Sequence, residues 1–197
     1  PANTNALIGY KSAGKNTQLW LAMTMLDALR AKAQLSQKLG CHVDDIYRLA
    51  IFGNHSPTMF PDLENTLVAG KNAYQEIDDH GWVENDFLPK IQQRGAEIIK
   101  ARGASSASSA ARAACDTVKA VEHPTRSGDV FNAAVMSDGA YGMPEGIFSG
   151  YSYNEIYQFK NLCCNHKYFV YKSVYQKLNP KYCLNHQKRF SSNYSDI

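Results

Sequence analysis

Tyr47–Pro61, YRLAIFGNHSPTMFP, is the stretch whose reading decides the fold. Its first half, Tyr47–Phe52, is a short apolar run with β-branched and aromatic residues, the pattern of a buried strand. Gly53 ends the run, and Gly53-Asn54-His55-Ser56-Pro57 reads as a polar turn. A histidine just beyond a buried strand stands at the rim of a sheet, where α/β enzymes hold their ligands. Imidazole titrates near neutrality and can take or give a proton at working pH. A surface loop histidine has the same local sequence, so the chemical reading needs a partner group and a pocket.

The partner comes from upstream. Over Gln18–Leu39, residues Leu19, Ala22, Met23, Leu26, Leu29 and Ala33 recur at three- and four-residue spacing, which predicts an amphipathic helix. Thr17 can cap its start, and Gly40 sits where a left-handed C-terminal cap belongs. Asp27 and Arg30, three residues apart, leave this helix on nearly the same side. In water such a pair is worth less than about 1 kcal/mol, but Met23 and Leu26 share its face, so burial is open to it. A carboxylate behind a histidine fixes the ring's tautomer and stabilises the imidazolium. An arginine beside it can grip a carboxylate through two parallel hydrogen bonds. Asp27, Arg30 and His55 are thus the parts of a site for a small carboxylic acid.

Around these elements the chain reads as follows. Pro1–Lys15, rich in Asn, Gly and Ala, is expected to be a loop, and Pro61–Asp79 irregular. Asn85–Ala101 is a second helix, capped by Asn85 or Asp86, with Pro89 in its first turns and Phe87, Ile91, Ile98 and Ile99 on its apolar side. GASSASSAARAA, Gly103–Ala114, has linker composition. Its alanines favour instead the start of a third helix running to about Glu122, capped by Ser105 or Ser106. Val130–Met136 is a strand, Ser137-Asp138-Gly139 a turn, and Gly146–Tyr151 a further strand.

The 197 residues, 44% hydrophobic and 20% charged, are ordinary for a globular protein with one sizeable core or two small ones. No apolar run approaches a membrane span, and no secretory leader is expected. Five cysteines, an odd number, do not suggest a disulfide scaffold, and a reducing, cytoplasmic location is expected. A net charge of +3 is too small to argue for nucleic acid, and neither nucleic acid nor membrane is expected as a partner. The charge is uneven. Asn154–Ile197 holds 7 Lys/Arg against 2 Asp/Glu, or +5, leaving −2 for residues 1–153. The same segment has no alanine or glycine and no sustained period. It is expected to be an unrelated basic tail, disordered by its composition, following a single domain at 1–153. Cys164-x-His166 and Cys183-x-x-His186 within it carry zinc-ligand residue types, but the first spacing is unusual, and no metal site is assigned.

Five segments in order, PANTNALI, LDALRAKAQ, IFGNHSPTMFPD, QQRGAEIIKARGASSASSAARAACD and MSDGAYGMPEG, together resemble NAD-dependent malate dehydrogenase, in the branch that includes the cytosolic-type enzymes. The resemblance covers Pro1 to about Tyr151. It implies an α/β enzyme fragment: the α+β catalytic, C-terminal domain of the lactate/malate dehydrogenase fold, lacking the Rossmann half. The chain, which opens without methionine, is accordingly expected to be a piece of a longer protein. By the family's Leu-Asp-x-x-Arg element, Asp27 orients the catalytic histidine and Arg30 binds the substrate's C1 carboxylate. By its Gly-Asn-His-Ser element, His55 is the acid/base and also meets the nicotinamide of the cofactor, NAD. The helix around Gln92-Gln93-Arg94-Gly95 and the Ser105-Ser106 segment face substrate and nicotinamide in relatives, which carries Ser105 over as a substrate-pocket residue. The resemblance further implies malate and oxaloacetate as substrates and a homodimer in the intact protein. Met25, Ala28 and Leu29 depart from the family's Thr-Arg-Leu-Asp-His-Asn-Arg. Two other readings stay open: another 2-hydroxy acid dehydrogenase such as lactate dehydrogenase, and a non-catalytic binding or regulatory fragment.

Overall fold

The fold, a computed structural model, describes residues 2–13, 20–55, 58–123, 125–137, 139 and 143–153. The tail, 154–197, with its Cys/His pairs, lies outside the described residues, as do Thr17, Ser56 and Asp138.

The first correction is at the start. The expected loop is a helix, α1, Ala2–Ser12. It carries no apolar stripe; only Asn3 and Ala6 are buried. Ala6 packs with Phe148 and Ala134, so tertiary packing rather than local pattern holds it. The next helix begins later than its spacing suggests. Ala22–Met23 is a short strand, β1, and α2 spans Met25–Leu39. Strand pairing with Ala133 and Ala134 takes the first residues of the apparent period. Thr24, not Thr17, stands at the N-cap, and its side chain makes no capping bond. Gly40 does close α2 in the left-handed region, φ +63°, its N–H bonding Ser36 O.

The apolar run Tyr47–Phe52 is two strands rather than one. Ile46–Tyr47 is β2 and Ala50–Phe52 is β3. Arg48, at φ +62°, redirects the chain between them, and Asp129 Oδ1 holds its N–H at 2.7 Å. A non-glycine residue in that region costs about 1 kcal/mol or more and needs such an anchor. The stretch expected to be irregular also contains strands: β4, Phe60–Asp62, pairs antiparallel with β3, Ala50 opposite Asp62. β5, Leu67–Val68, and β6, Lys71–Asn72, form a small sheet with β2. Two-residue strands leave no alternation to read.

A four-residue helix, α3, Ala73–Glu76, and a single turn, α4, His80–Trp82, follow. Asp79 caps α4, accepting from Trp82 N at 3.2 Å. A wide turn, Val83–Phe87, runs without a break into α5, Leu88–Arg102. Asn85 and Asp86 are therefore interior to this run and not caps. Pro89 is in the first turn of α5 as expected. Phe87 and Ile91 are buried, but Ile99 is 50% exposed, so the apolar side is narrower than expected. α6 spans Ser108–Glu122, and neither Ser105 nor Ser106 caps it, since Ala107 is the N-cap.

β7, Phe131–Met136, and β8, Phe148–Tyr153, complete an antiparallel sheet in the order β1-β7-β8. Asn132 on β7 joins β3 to it: its Oδ1 accepts from Ile51 N at 2.7 Å and its Nδ2 donates to Leu49 O at 2.9 Å. The main core gathers Leu35 of α2, Ile46, Leu49, Ile51, Phe87 and Ile91. β3 thus runs through the middle of the domain, and the turn after it is anchored by its own strand.

Asp62, buried on β4, accepts from Asn65 N and Asn65 Nδ2 at 3.3 and 2.8 Å. Burial nonetheless pushes its carboxyl up from 3.8 to about 6, a shift that these hydrogen bonds oppose without cancelling. The folded state holds this proton more firmly than the unfolded chain does. The stability that protonation lends is fully present below about pH 4 and is lost as pH rises through about 6. A gap of this size amounts to roughly 3 kcal/mol. Asp62→Asn is expected to flatten the fall in urea midpoint between about pH 4 and 6.5 relative to the parent chain. An unchanged slope would remove Asp62 as its source.

Candidate active site

α2 and the turn after β3 bring the chemistry together. His55 Nδ1 lies 2.5 Å from Asp27 Oδ2. The Asp27 side chain is 0% exposed and that of His55 34%. A carboxylate only accepts, so Nδ1 meets it as N–H, and Nε2 is left as the ring's reactive nitrogen. The one-sided exposure suits this division: one face of the pair is sealed, the other open to a ligand.

Arg30 Nη1 is 3.6 Å from the other carboxylate oxygen, Asp27 Oδ1, as an ion pair. Oδ1 itself accepts no hydrogen bond among the described residues. The guanidinium is thus close to Asp27 without spending its N–H donors on it. Burial lowers its pKa from 12.5, Asp27 opposes that shift, and Arg94 of α5 adds to it. Arg30 stays cationic. Its desolvation, with a second guanidinium weighing on it, raises the benefit of an incoming carboxylate.

α5 closes another side. Gln92 Nε2 donates to Met59 O at 3.0 Å, tying the helix to the segment after the His55 turn. Arg94, half-exposed, pairs with Glu97 at 3.3 Å. Of the expected residues, then, Asp27, Arg30 and His55 come together, and the Gln92–Gly95 turn of α5 stands near them. Ser105 is exposed between α5 and α6, and the described contacts of Asp27, Arg30 and His55 do not include it. Among the described residues no group of three or more His, Cys, Asp or Glu could hold a metal, and no helix is long and apolar enough to cross a membrane.

Two further residues touch the His55 turn and were not singled out from sequence. Gly150 N–H donates to Gly53 O at 2.8 Å, and Asn3 Nδ2 donates to Asn54 Oδ1 at 3.0 Å. A glycine inside a strand signals a close approach of backbones, which was the available clue for Gly150. Asn3 lay in a segment expected to be a loop, with no local signal of burial.

Residues 24–157 match the lactate/malate dehydrogenase, alpha/beta C-terminal domain family. Among solved structures, malate dehydrogenase from Naegleria fowleri is similar at 37% identity and TM-score 0.71, covering 95% of this chain and 58% of that one. Lactate dehydrogenase from Trichomonas vaginalis, solved with NADH and oxamate, is similar at 23% identity and TM-score 0.69, covering 96% of this chain and 61% of that one. Malate dehydrogenase from Aeropyrum pernix has 23% identity and TM-score 0.67, covering 78% and 50%. The latter two share the fold. The chain spans less than two thirds of the length of each.

Proposed function

Because the chain belongs to the lactate/malate dehydrogenase family through its C-terminal α/β domain, we propose that it is the catalytic part of an NAD-dependent malate dehydrogenase of the cytosolic-type branch. Joined to a dinucleotide-binding half, it interconverts (S)-malate and oxaloacetate. The observation that supports the dehydrogenase chemistry is the 2.5 Å contact of His55 Nδ1 with the fully buried Asp27, with Arg30 beside it, and malate is favoured by the 37% identity to a malate dehydrogenase. In the oxidation direction His55 Nε2 takes the proton of the C2 hydroxyl, and Asp27 balances the charge the ring gains. In reduction, protonated His55 polarises the C2 ketone and returns the proton. Arg30 grips the C1 carboxylate and so fixes C2 against the ring. Ser105 is assigned to the substrate pocket by family position.

NAD, when bound, supplies the hydride acceptor. The residues here fit its nicotinamide end in one respect: His55 is open on the side away from Asp27, where a flat ring that accepts hydride could meet it. Among the described residues no strand leads through a Gly-rich turn into a helix, the feature that holds the pyrophosphate. That end belongs to the other half. We assign the intact protein as a homodimer located in the cytoplasm, and residues 154–197, by their composition, as a tail outside the catalytic fold.

The test is kcat/KM in the completed protein for oxaloacetate against pyruvate. Oxaloacetate is expected to be preferred by about a hundredfold or more, since a second carboxylate left unpaired or paired is worth several kcal/mol in a closed site. A preference for pyruvate would make the chain part of a lactate dehydrogenase. No turnover of either would favour a non-catalytic fragment.

A further inference from the structure

The turn that carries His55 is held from a side that Asp27 does not touch. Gly53, at φ +86°, bridges to Gly150 of β8, with Gly150 N–H donating to Gly53 O at 2.8 Å. The next residue, Asn54, accepts at Oδ1 from Asn3 Nδ2, 3.0 Å away. The same Asn3 nitrogen donates to Phe148 O on β8, also at 3.0 Å. Asn3 is only 7% exposed.

This arrangement fixes more than a position. Phe148 O can only accept, so the nitrogen of the Asn3 amide, not its oxygen, must face it. Asn54 must then turn its own oxygen toward Asn3. An amide nitrogen has two hydrogens, and here each has one acceptor. Serine would offer one donor and aspartate none. Residues 53 and 54 are thus clamped in succession to β8 and to α1, and residue 55 follows directly. The sealed face of its ring must arrive 2.5 Å from an Asp27 oxygen carried by a different helix.

We infer that Asn3 is a positioning residue for His55: through Asn54 and Phe148 it sets where the imidazole meets Asp27. Its described hydrogen bonds go to Asn54 and Phe148 and none to His55, Asp27 or Arg30, so it acts through the turn. The inference rests on the reading of His55 and Asp27 as the acid–base pair.

The experiment is proton NMR of the full chain, following exchange of the His55 Nδ1–H with water. A hydrogen-bonded imidazole N–H appears well downfield, and Asp27→Asn identifies it by abolishing it. Exchange of the Ile51 amide, bound to Asn132 Oδ1 at 2.7 Å in the core, is the internal control. Asn3→Asp is expected to speed His55 N–H exchange about tenfold or more while leaving Ile51 within about twofold, because local opening of the turn rises without global unfolding. Should Asn3→Asp fail to fold, Asn54→Ala removes the bond to Asn3 but keeps Asn3 on Phe148, and is expected to act in the same direction by about threefold. Unchanged His55 exchange in a folded variant overturns the inference. So does equal acceleration at Ile51, which would make Asn3 a structural residue only. A wild-type spectrum with no signal that Asp27→Asn abolishes overturns the acid–base pair itself, and with it the functional reading beneath this inference.

Discussion

His55→Ala, made in the protein completed by its dinucleotide-binding half, is expected to lower turnover of oxaloacetate by about 10²–10⁴-fold, the usual contribution of a positioned acid/base. NADH affinity should change by less than about threefold, because most binding of a dinucleotide comes from its pyrophosphate and adenosine, which the other half holds. The magnitude follows from the geometry. Nδ1 is committed to Asp27 at 2.5 Å, so Nε2 is the available proton carrier, and no second histidine lies among the described contacts of Asp27 and Arg30. Turnover within about tenfold of the parent would mean that water or another group moves the proton. A large loss of NADH binding alongside turnover would point to a collapsed site instead.

Gly150→Ala is the second large effect. A Cβ at this position would lie 2.8 Å from Gly53 O and 2.9 Å from Ile51 O. Both are backbone atoms, with no flexible end to move aside. Relief requires β8 to draw back, which breaks the Gly150 N–H to Gly53 O bond at the root of the His55 turn. Overpacking of this kind costs about 1–3 kcal/mol, and an ångström of misplacement at a reacting group costs about a hundredfold in rate. Stability and turnover should therefore fall together. Gly95→Ala is the contrast for stability. Nothing lies within 4 Å of a Cβ there, in the middle of α5, and its urea midpoint should rise by the equivalent of about 1 kcal/mol. If Gly150→Ala matched the parent in both midpoint and turnover, the approach of β8 to the turn would have slack, and the glycine would have no steric cause.

How far the sequence could be read depends on which interactions are local. The α2 pair Asp27/Arg30 was legible, because three-residue spacing on a helix fixes proximity whatever the rest of the fold does. Gly40 was legible for the same reason: its left-handed cap is a property of the helix end. β7 has five apolar residues among its six and appeared close to where expected, Phe131–Met136. The failures lie where tertiary contacts outvote local pattern. β1 is two residues long and exists through its pairing with β7. α1 has no stripe because it rests on a few small residues against Phe148 and Trp20. Tyr47–Phe52 looked continuous, but Arg48 turns the chain at φ +62°, held there by the contact of its N with Asp129, 81 residues away.

The site divides in the same way. Residue types and the resemblance identified Asp27, Arg30 and His55, and the fold places them together. The supports of the His55 turn come from the two ends of the domain, Asn3 and Gly150, and no spacing rule links residues so far apart in sequence. Ser105 rests on family position.

The central claim is that Asp27 acts through His55. A double-mutant cycle of His55→Ala and Asp27→Asn, read as kcat at saturating oxaloacetate, tests it most directly. Saturation removes the effect Asp27→Asn has on substrate binding through Arg30. Residues that work as a unit give non-additive losses. Each single variant is expected to be slow, and the double variant no slower than His55→Ala by more than about twofold. Losses that multiply in the double variant would contradict the account, since Asp27 would then contribute to the reaction independently of the histidine.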